Sequence, residues 1–154
     1  MMESMAKMKE MVEISIFEVF EKMFYIFLEP ESGQCPGYDM ESVIGFSGSI
    51  NGEVRLLFSE KITKVMVQNM LNLEEGDITD IEMDDCAKEA VNMICGNFLV
   101  KLDERERFDL TIPVFMKPPE SDPYQDSEVI RLDFISDDGG VGMVMGLSQG
   151  VSEQ

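Results

Sequence analysis

Three side chains and one missing side chain stand out as a set that could do chemistry: Asp85, Glu89, Asn92 and Gly96. They follow one another at intervals of four, three and four residues within residues 80–105, DIEMDDCAKEAVNMICGNFLVKLDER. At 100° per residue this spacing places all four on one face of a helix. Glu89 and Asn92, at i and i+3, hold their Cβ atoms about 5–6 Å apart, so both could enter one pocket of a partner. A carboxylate only accepts hydrogen bonds, whereas an amide both donates and accepts them. These types suit an idle helix surface poorly. Asn is a weak helix former, and Gly costs about 1 kcal/mol relative to Ala. Singly, each has an ordinary explanation: a solvated charge, a neutral surface amide, a glycine packed under a neighbouring helix. In a row they point to a surface made for a partner.

The element that must position them is a long amphipathic helix over residues 80–105. Its opposite face, Met83, Ala87, Ala90, Val91, Ile94, Phe98 and Leu102, is continuous and apolar and needs a core. Thr79 and Glu82 form a capping box, and Asp80, Asp84 and Asp85 suit the positive end of the helix. Ahead of it, residues 9–28 read as a first helix with Val12, Ile16, Val19, Phe20, Met23 and Phe27 inward, closed by Pro30, after a polar start at 1–8 that is expected to fray. A hairpin follows, MESVIGFSGSI and EVRLLFS, with its turn at Asn51-Gly52. Residues 60–71 form a short helix with Ile62, Val65, Met66 and Met70 inward.

Beyond the long helix, residues 108–116 read as a strand whose Pro113 indicates an edge, a bulge or a strand start. A Pro-rich loop over 117–127 leads to a last hairpin, 128–136 and 141–148, around Asp137-Asp138-Gly139-Gly140. The final strand is apolar on both faces, so it is buried or paired across a subunit boundary. The fold class is α+β: one domain over 1–154, with long helices on one face of a mixed, mainly antiparallel sheet of about five strands.

Composition removes whole classes of function. The net charge of −19 opposes nucleic acid and anionic membranes, and no basic stripe offsets it. No apolar run is long enough for a membrane helix, and MMESMAKMKEM lacks the apolar region of a signal peptide, so a cytoplasmic protein is expected. There is no histidine, which removes Ser-His-Asp and Cys-His catalysis and His-based metal sites. Cys35, Cys86 and Cys95 form no CxxC and read as reduced structural thiols. The acids near residue 80 lack the order of a calcium loop.

The run Asp85-xxx-Glu89-xx-Asn92-xxx-Gly96-Asn97, on a long helix followed by a strand with Pro113, resembles the CheC/CheX/FliY family of chemotaxis phosphatases. The order of elements is similar to CheX over nearly the whole chain. Asn92 is the only Asn with a Glu three residues before it, as in the single-site CheX branch rather than the two-site CheC type. The resemblance implies hydrolysis of the aspartyl phosphate of a phosphorylated CheY-like receiver domain. Asn92 would place the attacking water, Glu89 would dock the receiver's active-site lysine, Gly96 would give clearance, and Asp85 would add a polar contact at the rim. It implies no cofactor in this chain, with Mg2+ on the partner receiver, and a homodimer formed through the sheets. Aspartyl phosphate is already activated, so a docking contact and a group that orients water suffice. Two alternatives remain open at this point: a non-catalytic module of the same fold that binds a receiver or another signalling protein, and an acidic interaction domain for an unrelated basic partner.

Overall fold

The computed structural model describes residues 2–31, 37–119 and 129–148. Three helices, α1 (Met2–Phe24), α2 (Glu60–Leu71) and α3 (Asp80–Leu102), accompany seven strands. The strands are β1 (Glu29–Pro30), β2 (Met40–Ser47), β3 (Asn51–Phe58), β4 (Asp109–Leu110), β5 (Val114–Met116), β6 (Val129–Ser136) and β7 (Gly139–Ser148). They make one sheet in the order β1-β6-β7-β3-β2-β4, with β5 also on the outer side of β2. All the pairings are antiparallel. The sheet thus has seven strands rather than about five, because a two-residue β1 joins it and the expected strand 108–116 divides into β4 and β5.

The core lies between the helices and one face of the sheet. Alternation in the strands supplies Ile44 and Phe46, Val54, Leu56 and Phe58, and Val141, Met143 and Met145, all buried. The helices supply Val12, Ile16, Phe20 and Phe24 from α1, Ile62, Met66 and Val67 from α2, and the apolar face of α3. The last strand is central, paired to β6 and β3; Val141, Met143 and Met145 face the core, while on its other face Val144, also buried, lies in register between Arg55 and Arg131.

Several boundaries move from their sequence positions. The first helix begins at Met2 instead of Lys9, helical through the segment expected to fray, with Met5, Met8 and Met11 packed on the core. It ends at Phe24, before residue 28. Tyr25 takes a left-handed φ of 55°, the Ile26 N–H donates to the Phe20 carbonyl at 3.0 Å, and Asn69 Nδ2 donates to the Phe24 carbonyl at 2.7 Å. The period then changes from helical to two, so Ile26 and Leu28 are buried and Phe27, expected inward, is 70% exposed. Asn51-Gly52 is not the turn of the first hairpin. It opens β3, with Gly52 paired to Phe46, and residues 48–50 make the bend. A Cβ on Gly52 would lie 2.6 Å from the Phe46 ring and 2.7 Å from the Gly146 carbonyl oxygen, so this glycine answers to packing rather than to a turn.

The strand carrying Pro113 breaks at residues 111–113, where the Gly45 N–H donates to Thr111 Oγ1 at 2.8 Å and the Thr111 N–H donates to the Gly45 carbonyl at 3.0 Å. Pro113 sits in that break on the outer edge of the sheet. The long helix stops at Leu102, short of residue 105, because residues 103–107 carry no apolar side chain to hold them on the core. The last hairpin turns on Asp137-Asp138 alone, with Ser136 paired to Gly139. Cys35, residue 128 and most of the Pro-rich loop, from residue 120 on, lie outside the described residues.

Candidate functional site

α3 starts from a complete capping box. The Thr79 N–H donates to Glu82 Oε1 at 2.6 Å, and Thr79 Oγ1 accepts from the Ile81 N–H at 3.3 Å. Hydrogen bonds from the Thr79 side chain and backbone hold the Glu82 carboxyl below its ordinary pKa. From this fixed start the helix lies against α1, α2 and β2. Ala87, Ala90, Val91, Ile94 and Phe98 are fully buried. The two alanines allow the backbone to approach its neighbours closely, and Phe98 meets Phe46 edge-on at 6.3 Å. Cys86 and Cys95, also buried, have thiols pushed up to about 12: burial does this for both, and the Glu89 charge adds to it at Cys86. Neither is a thiolate at neutral pH, so neither is a nucleophile.

The opposite face is open. Asp85 and Glu89 are exposed, while Asn92 and Gly96 are half-buried. The structure therefore brings all four sequence candidates onto one outward stripe, about 16 Å long from Asp85 to Gly96 at 1.5 Å per residue. No hydrogen bond or ion pair among the described residues engages the side chains of Glu89 or Asn92. Several other polar groups of α3 are committed. Lys88 pairs with Asp84 at 2.7 Å, and Lys101 pairs with Glu18 of α1 at 2.9 Å. Asn97, the second asparagine of the helix, is held between Glu18 at 3.4 Å and Lys101 at 2.9 Å. Of the two asparagines, Asn97 ties helices together and Asn92 has no partner among the described residues.

Gly96 admits a direct test of the packing explanation. A Cβ built on it has no heavy atom within 4 Å. No neighbouring helix requires the missing side chain, so what the glycine provides is space on the outside.

Sequence reasoning missed the apolar companions of the stripe. Met93 is 41% and Val100 63% exposed beside and beyond Gly96. The segment through β4 and β5 runs alongside and adds Leu110, 40% exposed. Extending the same i, i+4 series from Gly96 to Val100 would have found one of these. The flanking segment came from far in sequence and left no such signal. Pro113 belongs to that flanking segment and not to the stripe. Among the described residues no three His, Cys, Asp or Glu side chains converge as metal ligands, and no helix is long and apolar enough to cross a membrane.

Comparison with known proteins supplies a family. The profile described as "Chemotaxis phosphatase CheX" matches residues 40–134, which include α3 and its stripe. No curated protein sequence matches the chain. Among solved structures, CheX of Desulfovibrio desulfuricans is 22% identical with a TM-score of 0.76, covering 92% of this chain and 99% of that one. CheX of Vibrio vulnificus is 22% identical with a TM-score of 0.75, covering 89% and 93%. The CheX–CheY–BeF3–Mg2+ complex of Borrelia burgdorferi is 20% identical with a TM-score of 0.72, covering 91% and 97%. These structures share the fold.

Proposed function

From the premise that this chain belongs to the CheX family of chemotaxis phosphatases, we propose that it hydrolyses the aspartyl phosphate of a CheY-like receiver domain. Asn92 orients the attacking water and Glu89 docks the receiver's active-site lysine. The observation that carries this reading is the pair itself: a carboxylate and an amide one turn apart, outward, and without partners among the described residues. The Borrelia relative solved with CheY, BeF3 and Mg2+ supports the choice of partner.

Chemically, water attacks phosphorus while the bond from phosphorus to the aspartyl oxygen breaks. The products are inorganic phosphate, which takes up the water's proton, and a free aspartate carboxylate on the receiver. The receiver's Mg2+ neutralises charge on the phosphoryl oxygens. Asn92 accepts a hydrogen bond from the water through Oδ1 and fixes its line of approach, which reduces the entropic cost of activation. Its neutrality matters, since a carboxylate in that place would be repelled by the phosphoryl group. Glu89 is set beside it by the i, i+3 spacing, within about 5–6 Å at Cβ, and pairs with a cation of the same pocket. Asp85 lies at the rim, and Gly96 lets the receiver backbone come close. The substrate places the reaction in the cytoplasm.

The test is the decay of phosphorylated CheY from the same organism, with and without the chain, and with Glu89→Ala and Asn92→Ala. Acceleration by the wild type that both variants lose supports the mechanism. Tight binding of the receiver with no acceleration would replace it with a non-catalytic docking role. The reading also includes a homodimer, in which a second copy covers exposed apolar groups such as Tyr25, Phe27 and Ile135. A monomer by light scattering at micromolar concentration would refute that part.

A further inference from the structure

The outward stripe of α3 continues past Gly96 into a groove of about 180 Å3. Its floor is apolar: Leu99 and Val100 from the helix, Phe108 and Leu110 from the segment that returns beside it. Phe108 is anchored there edge-on to Phe46, with ring centroids 6.3 Å apart. Its rim is acidic, made of Asp103, Glu104 and Glu106. Among the described residues no basic side chain lines it; Arg105 and Arg107 alternate with the acids in sequence but form no part of the lining. Gly96 stands at the end nearest Asn92, about 6 Å further along the helix axis. Because a Cβ there would meet nothing, the path from Asn92 into the groove is clear.

We propose that this groove receives a lysine or arginine side chain of the receiver from beside its phosphorylation site. The aliphatic stem would lie on the Leu99–Phe108–Leu110 floor, with the cationic head among the rim carboxylates. The proposal rests on the receiver reading above and deepens it by naming a second contact. The electrostatics favour such a contact. The chain carries a net charge of −19, and a phosphorylated receiver pocket is itself rich in negative oxygens. Two surfaces of one sign repel over roughly 8 Å at physiological salt and associate slowly. A cation on the receiver, meeting a groove that opens one turn from Asn92 and whose acidic rim begins about 16 Å along the axis, reverses the local sign and fixes the register of the helix on the receiver.

The experiment measures decay of phosphorylated CheY over a range of CheY concentrations, at about 50 and about 300 mM salt, which brackets the screening regime. The variants are Glu104→Gln with Glu106→Gln, which sparing Asp103 leaves the helix end intact, and separately Leu110→Ser. Thermal unfolding confirms that each is folded. Exposed charge contacts are each worth up to about fivefold. The expected result is therefore a KM raised about five- to tenfold at low salt, kcat within about twofold of wild type, and a flatter salt dependence of kcat/KM. Leu110→Ser is expected to raise KM without altering the salt dependence.

Folded variants with unchanged KM and unchanged salt dependence would overturn the groove while leaving the phosphatase reading intact, provided that Asn92→Ala still abolishes acceleration. A wild-type chain that neither accelerates decay nor binds BeF3-loaded CheY would overturn both.

Discussion

Replacing Asn92 by alanine separates function from stability with opposite signs. In the folded chain Asn92 has no hydrogen-bond partner among the described residues, and its side chain is only half-buried. The substitution therefore removes nothing that holds the fold. It exchanges a weak helix former for the best one, a gain of about 0.6 kcal/mol. An unfolding entropy of about 2.1 cal/mol/K per residue gives about 0.3 kcal/mol/K for 154 residues, so Tm rises by about 2 °C. Activity moves the other way. Losing one preorganised group at the reacting water costs about 100-fold in kcat, or about 2.7 kcal/mol. KM changes little, because Glu89 remains. The assay pairs thermal unfolding with the decay rate of phosphorylated CheY at saturating chain. Asn97→Ala is the matched control. It cuts ties to Glu18 and Lys101, so it lowers Tm while leaving decay within about twofold. Asn92→Ala at nearly wild-type rate would refute the assignment. A fall of several degrees in its Tm would refute the claim that this asparagine is idle in the fold.

Gly96→Ala meets no neighbouring atom, so it stabilises the helix by up to about 1 kcal/mol, while Gly96→Leu slows the action on CheY by filling the approach; calorimetry and the decay assay read the two effects. Gly52→Ala has the opposite outcome, since its Cβ would lie 2.7 Å from a backbone oxygen; a loss of about 1–3 kcal/mol in denaturant unfolding is expected, with no direct effect on the distant stripe. The hydrogen bond from Lys101, aided by its charge, holds the Glu18 carboxyl below its ordinary pKa. A depressed acid adds stability above its unfolded pKa and loses it as pH falls through the folded one, so Tm of the wild type and of Glu18→Gln should differ at neutral pH and converge in acid.

Local physics carried much of this molecule into its sequence. The capping box at Thr79 and Glu82 involves neighbours three residues apart, and the apolar face of α3 repeats with the helical period. For the same reason Asp85, Glu89, Asn92 and Gly96 were legible as one outward stripe. The helix over 60–71 and the last hairpin followed from local pattern in the same way. Local pattern failed where a distant contact outweighed it. Asn51-Gly52 has the composition of a tight turn, yet Gly52 is set by the ring of Phe46 and by Gly146 on another strand. Phe27 fits a helical stripe, yet Asn69 ends the helix three residues before it.

The stripe divides along the same line. Sequence alone determined which residues share the outer face of α3, because that depends only on the angle between successive residues. It could not determine that Asn92 has no partner among the described residues while Asn97 is tied to α1. It could not determine that Gly96 faces open space rather than a packed helix. Nor could it place Phe108 and Leu110 beside Gly96 as the floor of a groove. Those are facts about which parts of the chain meet, decided by the burial of the common core. Only the tertiary structure turns a set of residues on one face into a surface with free groups, clearance and a neighbouring cavity.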